Sequence, residues 1–160
     1  METDDYPTCA RTYATLRIYH DGDSPHEVSR ILELEPSSFQ IKGAEWKRRD
    51  QTRTYPLSGW FLCSDEKIES YDTSKHLTWL LEKIAGKKAE LDQLRSAGWR
   101  MDISCFWDSS WGHGGPTVHP PISKILGNLE IPVWFDVYFT GAMGWTQSDK
   151  QACSIKADKA

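Results

Sequence analysis

The residues with the widest chemical repertoire in this sequence are concentrated in residues 105–121. The stretch holds Trp107, Trp111, His113 and His119 among three glycines. Imidazoles can ligate zinc or carry protons at neutral pH, and a glycine-rich segment in front of a helix can cradle a phosphate. The stretch is therefore a candidate binding or catalytic loop, and a conformationally demanding turn is the alternative.

Three specific chemistries lack their usual motifs here. There is no HExxH and no paired CxxC, so the pattern does not favour zinc. No Walker lysine–serine pair follows the glycines, and three prolines, Pro116, Pro120 and Pro121, remove backbone donors. A Cys105 nucleophile with a loop histidine as its base is a further alternative that proximity in sequence cannot establish. We expect no metal site and no cofactor, and we assign no catalytic residue.

The loop is positioned by strands that have one apolar side and one unusual polar side. Alternation over residues 12–20, 100–107 and 133–139 predicts half-buried strands. The side opposite the apolar one carries Thr15, Arg17, Tyr19, Asp102, Ser104, Phe106, Trp134, Asp136 and Tyr138. Solvated sheet faces usually carry threonine, lysine and glutamate, whereas aromatics with a few charges are typical of interfaces. The alternative is cross-strand aromatic pairing, with Arg17 neutralising Asp102 or Asp136.

The helical patterns complete an α+β assignment. Apolar residues at helical spacing predict helices near residues 24–35, 72–98 and 120–129, the second one interrupted at Gly86. We predict a four- to five-stranded, mainly antiparallel sheet with three helices on one face. Residues 12–139 form the single domain in this interpretation, with a polar leader over 1–11 and a polar tail over 140–160.

Two parts of the chain are similar to each other. Residues 28–34 resemble residues 122–129, and each segment follows an alternating strand and a loop flanked by two histidines six residues apart. A duplicated strand–helix–strand unit is one interpretation, and chance likeness of two amphipathic helix starts is the other. A two-fold axis normal to the sheet would put the two histidine loops at opposite ends of the sheet. That arrangement would exclude a single four-histidine metal site.

Charge and hydropathy limit the partners. The net charge of −4 argues against broad contact with nucleic-acid backbones, and we expect no nucleic acid. The basic cluster Lys47–Arg49 with Arg53 is interpreted as a solvated loop, because charge runs usually are. No window approaches the roughly 20 apolar residues of a membrane span. The acidic start and four widely spaced cysteines without a CxxC pair predict a cytoplasmic protein with reduced thiols.

Several segments together resemble a known family. Residues 13–18, 31–36, 42–43 and 77–81 resemble the bacterial family named domain of unknown function 4279, as does the final strand at 135–139. The most distinctive match is Cys105-Phe106-Trp107-Asp108-Ser109-Ser110-Trp111-Gly112-His113-Gly114-Gly115-Pro116. The resemblance spans about residues 12–139 and implies a small bacterial protein. The family has no assigned activity, so it implies no catalytic residues.

These patterns favour a non-enzymatic binding module over an enzyme. The expected site is the aromatic sheet face together with the loop, namely Arg17, Tyr19, Asp102, Ser104, Phe106, Trp107, Trp111, His113, Trp134, Asp136 and Tyr138. A protein or a small molecule would be the partner, and an adaptor or toxin-neutralising role would suit such a face. The alternative is a small-ligand protein or hydrolase-like enzyme using Arg17, Asp102, Asp136, His113 and His119. The oligomeric state is open at this point.

Overall fold

A computed structural model describes residues 6–140, and a five-stranded sheet forms the centre of this part. The strands are β1 (Cys9–His20), β2 (Ser38–Gln40), β5 (Ser58–Cys63), β6 (Arg100–Ser109) and β7 (Val133–Tyr138). Their order across the sheet is β2-β5-β1-β6-β7. Strands β1 and β6 are the long central pair, so residues on these two strands occupy the middle of both faces.

The strands form where alternation predicts them. Ala14, Leu16 and Ile18 on β1 are completely buried, while the residues between them are partly exposed. In the antiparallel register Leu16 lies opposite Ile103 on β6 and opposite Leu62 on β5. Opposed residues of an antiparallel pair share a face, so one apolar face extends across the three inner strands.

Four helices, among the described residues, supply the other half of the core. They are α1 (His26–Leu32), α2 (Thr73–Ile84), α3 (Lys88–Ser96) and α4 (Pro120–Leu129). Each contributes buried leucine, isoleucine or valine side chains to one cluster that also holds Leu16, Ile18 and Ile103. The helices therefore all cover the same face of the sheet and leave the opposite face open.

The α+β class is confirmed, with two differences in detail. The stretch predicted as one long helix is two, because the chain turns at Gly86 and leaves helical geometry at Lys87 (φ −111°, ψ 31°). The sheet, predicted as mainly antiparallel, is mixed: β7 runs parallel to β6, while the other three neighbouring pairs are antiparallel. The crossover through α4 returns the chain in the direction of β6, and this crossover requires the parallel arrangement.

The two similar segments occupy related but unequal positions. Both β1–α1–β2 and β6–α4–β7 are strand–helix–strand units with parallel strands, but β5 lies between β1 and β2 whereas β6 and β7 are neighbours. Tyr19 lies opposite Arg100, and Cys9 lies opposite Ser109. The two histidine loops therefore lie at opposite ends of the sheet, as the two-fold arrangement predicts.

The segment between β2 and β5 carries the basic cluster. It is a hairpin, β3 (Glu45–Arg48) and β4 (Gln51–Thr54), rather than an irregular loop. Lys47, Arg48, Arg49 and Arg53 are all exposed on it.

The cysteines and the helix lengths bear on location. Cys9 and Cys105 are free and buried, whereas Cys63 is disulfide-bonded, so the expectation of reduced thiols is wrong at Cys63. Within residues 6–140, every helix is too short or too polar to cross a bilayer. Trp145 and the rest of the predicted polar tail after Thr140 lie outside the described residues, as do residues 1–5 of the predicted leader.

The cap of α2 provides a test of this helix boundary. The Asp72 carboxylate accepts a hydrogen bond from the Ser74 amide at 2.9 Å, so it satisfies one of the first backbone donors of the helix. Asp72→Ala should lower the free energy of unfolding by about 1 kcal/mol in urea titrations. Asp72→Asn keeps an acceptor and should be nearly neutral. Equal losses in the two variants would contradict the capping role.

Candidate functional site

The open face of the sheet brings together most of the residues that alternation assigns to it. Arg17 lies opposite Asp102, and Thr15 lies opposite Ser104. On the other side of β6, Trp134 aligns with Ser104. The face holds Arg17, Tyr19, Asp102, Ser104, Phe106, Trp134, Asp136 and Tyr138, eight of the eleven predicted binding residues.

A bidentate ion pair occupies the middle of this face. Arg17 Nε donates to Asp102 Oδ1 at 2.7 Å, and Arg17 Nη2 donates to Asp102 Oδ2 at 2.9 Å. The guanidinium also lies 5.2 Å from the centre of the Trp134 ring. Burial lowers the pKa of Arg17, but the hydrogen bonds and charge of Asp102 outweigh this and raise it. The guanidinium of Arg17 therefore stays charged at physiological pH.

A row of stacked rings crosses the same face toward the N-terminal end of β1. The Tyr13 and Phe106 rings stack at 4.8 Å with an interplanar angle of 6°, and Phe106 stacks on Tyr138 at 5.1 Å. The Arg11 guanidinium lies 5.1 Å from the centre of the Tyr13 ring and 5.8 Å from that of Phe106, and it forms an ion pair with Asp65 at 2.6 Å. Burial raises the pKa of Tyr13 to about 12, so its phenol is neutral at physiological pH.

Between the ring row and the ion pair lies a half-open groove of about 180 Å³. The small side chains of Thr15 and Ser104 lie between the larger ones, which creates the depression. The groove is lined by Tyr13, Thr15, Arg17, Tyr19, Ser38, Gln40, Phe61, Ser104, Phe106 and Asp136. The predicted residues Asp102, Trp134 and Tyr138 flank it, through their contacts with Arg17 and Phe106.

Some residues that line the groove were not predicted from the sequence. Phe61, Ser38 and Gln40 were not predicted, because β5 is apolar on both faces and β2 has only three residues. Tyr13 follows from the same alternation that places Thr15 and Arg17 on this face, so this signal was present in the sequence. Phe61 packs edge-on against Tyr19, with ring centres 5.4 Å apart.

The groove carries one uncompensated negative charge. Arg17 is neutralised by Asp102. Asp136 makes no salt bridge with any residue of the described part of the chain. Its negative charge raises the pKa of Tyr138, and a hydrogen bond between the two side chains acts in the same direction. The surface therefore offers a carboxylate beside aromatic rings and hydroxyl groups.

The two predicted tryptophans differ in exposure. Trp107 belongs to β6 and is completely buried, with its ring 5.2 Å from that of Tyr6. A partner could contact Trp107 only by displacing Tyr6 and the loop. Trp111 is 70% exposed in the loop and lies outside the lining of the groove.

The loop around His113 is held as a turn by the N-terminal residues. The Ser110 amide donates to the Thr8 carbonyl at 3.0 Å, and the Tyr6 hydroxyl donates to the Gly115 carbonyl at 2.8 Å. Gly112 and Gly114 adopt positive φ values of 74° and 82°. His113 and His119 are exposed and do not line the groove, so the structure does not unite them with Arg17 and Asp136.

Two further chemistries can be compared with the geometry. Over residues 6–140, no group of three or more histidine, cysteine or acidic side chains is arranged to hold a metal ion. Burial raises the pKa of the Cys105 thiol to about 12, so the thiolate that a nucleophile requires is absent at neutral pH. Cys105 also belongs to the helix-covered core, away from the groove.

A buried serine–histidine contact is structural. Ser64 Oγ lies 2.8 Å from His76 Nδ1, and His76 Nε2 lies 3.0 Å from the Ser70 carbonyl oxygen. Ser64 also donates to the Ala14 carbonyl and accepts from the Ala14 amide. Both side chains are inaccessible to solvent, so the contact links β1, α2 and the segment after β5 rather than facing a substrate.

Comparison with known proteins identifies one family. The family model described as domain of unknown function (DUF4279) matches residues 10–140. Searches of curated proteins and of solved structures found no match in either set.

The buried tyrosine gives a test at alkaline pH. Folding favours the neutral phenol of Tyr13, so its stabilising contribution is complete below the unfolded pKa near 10.0 and is lost as the pH rises to about 12. Between pH 9 and pH 12, wild type should lose roughly 2–3 kcal/mol more unfolding free energy than Tyr13→Phe. Chemical denaturation across this range measures the difference. Parallel losses in the two proteins would contradict the buried phenol.

The turn role of the loop predicts opposite results at neighbouring glycines. A Cβ at Gly114 would lie 2.7 Å from Thr8 Oγ1 on a backbone with positive φ, whereas a Cβ at Gly115 has no atom within 4 Å. Gly114→Ala should therefore cost about 1–3 kcal/mol of stability. Gly115→Ala is the matched control and should remain near wild type in thermal unfolding. A tolerated Gly114→Ala would show that the loop is not held by Thr8.

Proposed function

We propose that this chain, which belongs to the family described as domain of unknown function (DUF4279), is a non-enzymatic binding module that recognises a protein partner through the open sheet face. The observation that carries the proposal is the half-open groove of about 180 Å³ on that face. Sites that enclose small molecules usually measure about 300–1,000 Å³. The groove suits one side chain inserted by a partner better than it suits a sequestered substrate.

The protonation states in the groove support recognition over catalysis. Burial raises the pKa of Tyr13 and Tyr19, and Asp102 raises that of Arg17. These shifts lead away from neutrality, whereas a general acid or base works best with a pKa near the operating pH. The groove residues with resolved shifts therefore present constant donors and charges to a partner.

The charge of the groove indicates which side chain fits. Asp136 leaves one net negative charge on a surface with aromatic walls and hydroxyl groups. A guanidinium is planar, donates several hydrogen bonds and packs against aromatic rings, so arginine matches all three features. The proposed ligand is therefore a basic side chain, arginine above all, on the surface of the partner.

The enzyme alternative finds less support. It requires His113 and His119 to act together with Arg17, Asp102 and Asp136. The two histidines lie on the loop beyond the last residue of β6 and are absent from the groove lining. A small-molecule ligand would need a deeper enclosure than the groove offers.

The cellular role follows from the same reasoning. An adaptor or toxin-neutralising protein in the bacterial cytoplasm would use such a face, and we propose this setting. The free thiols of Cys9 and Cys105 suit a reducing compartment, and Cys63 is 2% exposed, so its disulfide is shielded from cytoplasmic reductants. Sequencing of co-purified partners from the native host would address the role directly.

The choice of side chain can be tested with capped amino acids. Titration with N-acetyl-arginine amide should shift the backbone amide signals of Thr15, Arg17 and Ser104 in ¹⁵N–¹H spectra, with a dissociation constant on the order of a few mM. N-acetyl-citrulline amide, which has the same shape without the charge, should bind about tenfold more weakly. N-acetyl-glutamate amide should not shift these signals. Equal binding of all three probes, or shifts confined to the loop, would overturn the proposal.

A variant that fills the groove provides the matched control. Ser104→Trp places an indole in the groove and should abolish the arginine-induced shifts. Ser96→Trp adds the same side chain at the exposed end of α3 and should leave them unchanged. Circular dichroism verifies that both variants are folded. Retained binding by folded Ser104→Trp would place the probe elsewhere.

A further inference from the structure

The edge strand β7 is apolar on both of its faces. Val137 is 62% exposed and Phe139 is 60% exposed on the side of the helices. Trp134 and Tyr138 are about half exposed on the side of the groove. The strand carries one charged residue, Asp136, and no lysine or proline within its bounds. Natural edge strands usually carry charges or prolines that prevent pairing, so β7 has the character of a strand that pairs.

The main chain of β7 has one side free for pairing among the described residues. The Pro132 carbonyl accepts a hydrogen bond from the Ile103 amide at 2.9 Å. Even-numbered residues of this segment therefore direct their backbone groups toward β6, since these directions alternate along a strand. Val133, Phe135 and Val137 direct their N–H and C=O groups away from the sheet.

We propose that β7 pairs antiparallel with β7 of a second copy of this chain, so that two five-stranded sheets become one continuous sheet. The pairing is isologous about a two-fold axis perpendicular to the sheet. Opposed residues of an antiparallel pair point to the same face, so the axis must pass through a residue. Three outward-facing residues then form about six main-chain hydrogen bonds across the axis.

Charge and backbone availability select Phe135 as the residue on the axis. An axis at Asp136 would put two carboxylates directly opposite each other, which is destabilising. An axis at Val137 would pair Phe135 with Phe139, which lies beyond the last residue of β7. With the axis at Phe135, Val133 faces Val137 of the other copy.

The same register contributes to the groove. It places Trp134 of one copy opposite Asp136 of the other, with Cβ atoms about 4.5–5.5 Å apart. The indole N–H can then donate to the carboxylate that borders the groove. The second copy therefore supplies an aromatic rim to the site, so each groove is complete only in the dimer.

The exposed side chains are sufficient in area. Four aromatic side chains on or next to β7 are roughly half exposed, and Val137 is more so. At 150–250 Å² for a fully buried aromatic residue, they supply at most roughly 500 Å² from each copy. About 1,000 Å² in total reaches the lower bound of a specific interface.

Light scattering coupled to size exclusion tests the proposal on the full chain. Wild type should elute with twice the mass of one chain at micromolar concentration. Val137→Lys places a charge in the interface and should yield the monomer with an unchanged circular-dichroism spectrum. Ile41→Lys, at another exposed apolar residue away from β7, is the control and should remain dimeric. A wild-type monomer at every concentration would overturn the proposal.

Cross-linking tests the register separately. Phe135→Cys places two thiols on the axis, so mild oxidation should give a covalent dimer on a non-reducing gel. Asp136→Cys places them on opposite sides of the axis, next to Trp134, and should cross-link poorly. Efficient linkage of Asp136→Cys with none for Phe135→Cys would overturn the register.

Discussion

The central constraint of this fold is that all four described helices cover the same face of the sheet. Burial of Leu16, Ile18 and Ile103 under the helices excludes water from that side and supplies most of the hydrophobic stabilisation. The opposite face has no layer above it within the described residues. Its side chains must therefore satisfy and shield one another across the strands, and the Arg17–Asp102 ion pair is the centre of that arrangement.

The groove results from this self-sufficient packing. The large side chains stack on one another or form ion pairs, as Tyr13 stacks on Phe106. The smaller Thr15 and Ser104 lie between the stacked rings and the Arg17–Asp102 ion pair. Because each large group is held by a partner, the walls of the groove are already ordered before a ligand arrives. Preordered walls reduce the conformational entropy lost on binding. The loop after β6 supports this face indirectly. The edge-to-face contact between Tyr6 and Trp107 holds the N-terminal residues against the sheet.

The sequence was sufficient to predict the α+β class and the membership of the open face. Successive side chains of a strand point to opposite faces of the sheet. Once Leu16 and Ile18 are assigned to the core, Arg17 must lie on the open face, and the same alternation assigns Asp102 to that face. Ser104 follows from the same argument on β6. The contacts among these residues required the strand order, which depends on tertiary packing rather than on local pattern.

Other features had no decisive local signal. Trp107 was predicted both as the last residue of a strand and as part of the binding loop, because glycines follow it closely, and β6 in fact continues to Ser109. Phe61 was hidden because a strand that is apolar on both sides does not reveal which side faces the helices. The position of β7 at the edge of the sheet results from its parallel pairing with β6, and a single sequence does not reveal which strands pair.

The most direct measurement of the central claim is the affinity of Asp136→Asn for N-acetyl-arginine amide, followed by the amide signals of the groove. Asparagine keeps the size and removes the charge, so any change reports on the carboxylate itself. The dissociation constant should rise about tenfold, equivalent to about 1.4 kcal/mol, while the fold is unchanged. An affinity equal to that of wild type would contradict recognition through this face.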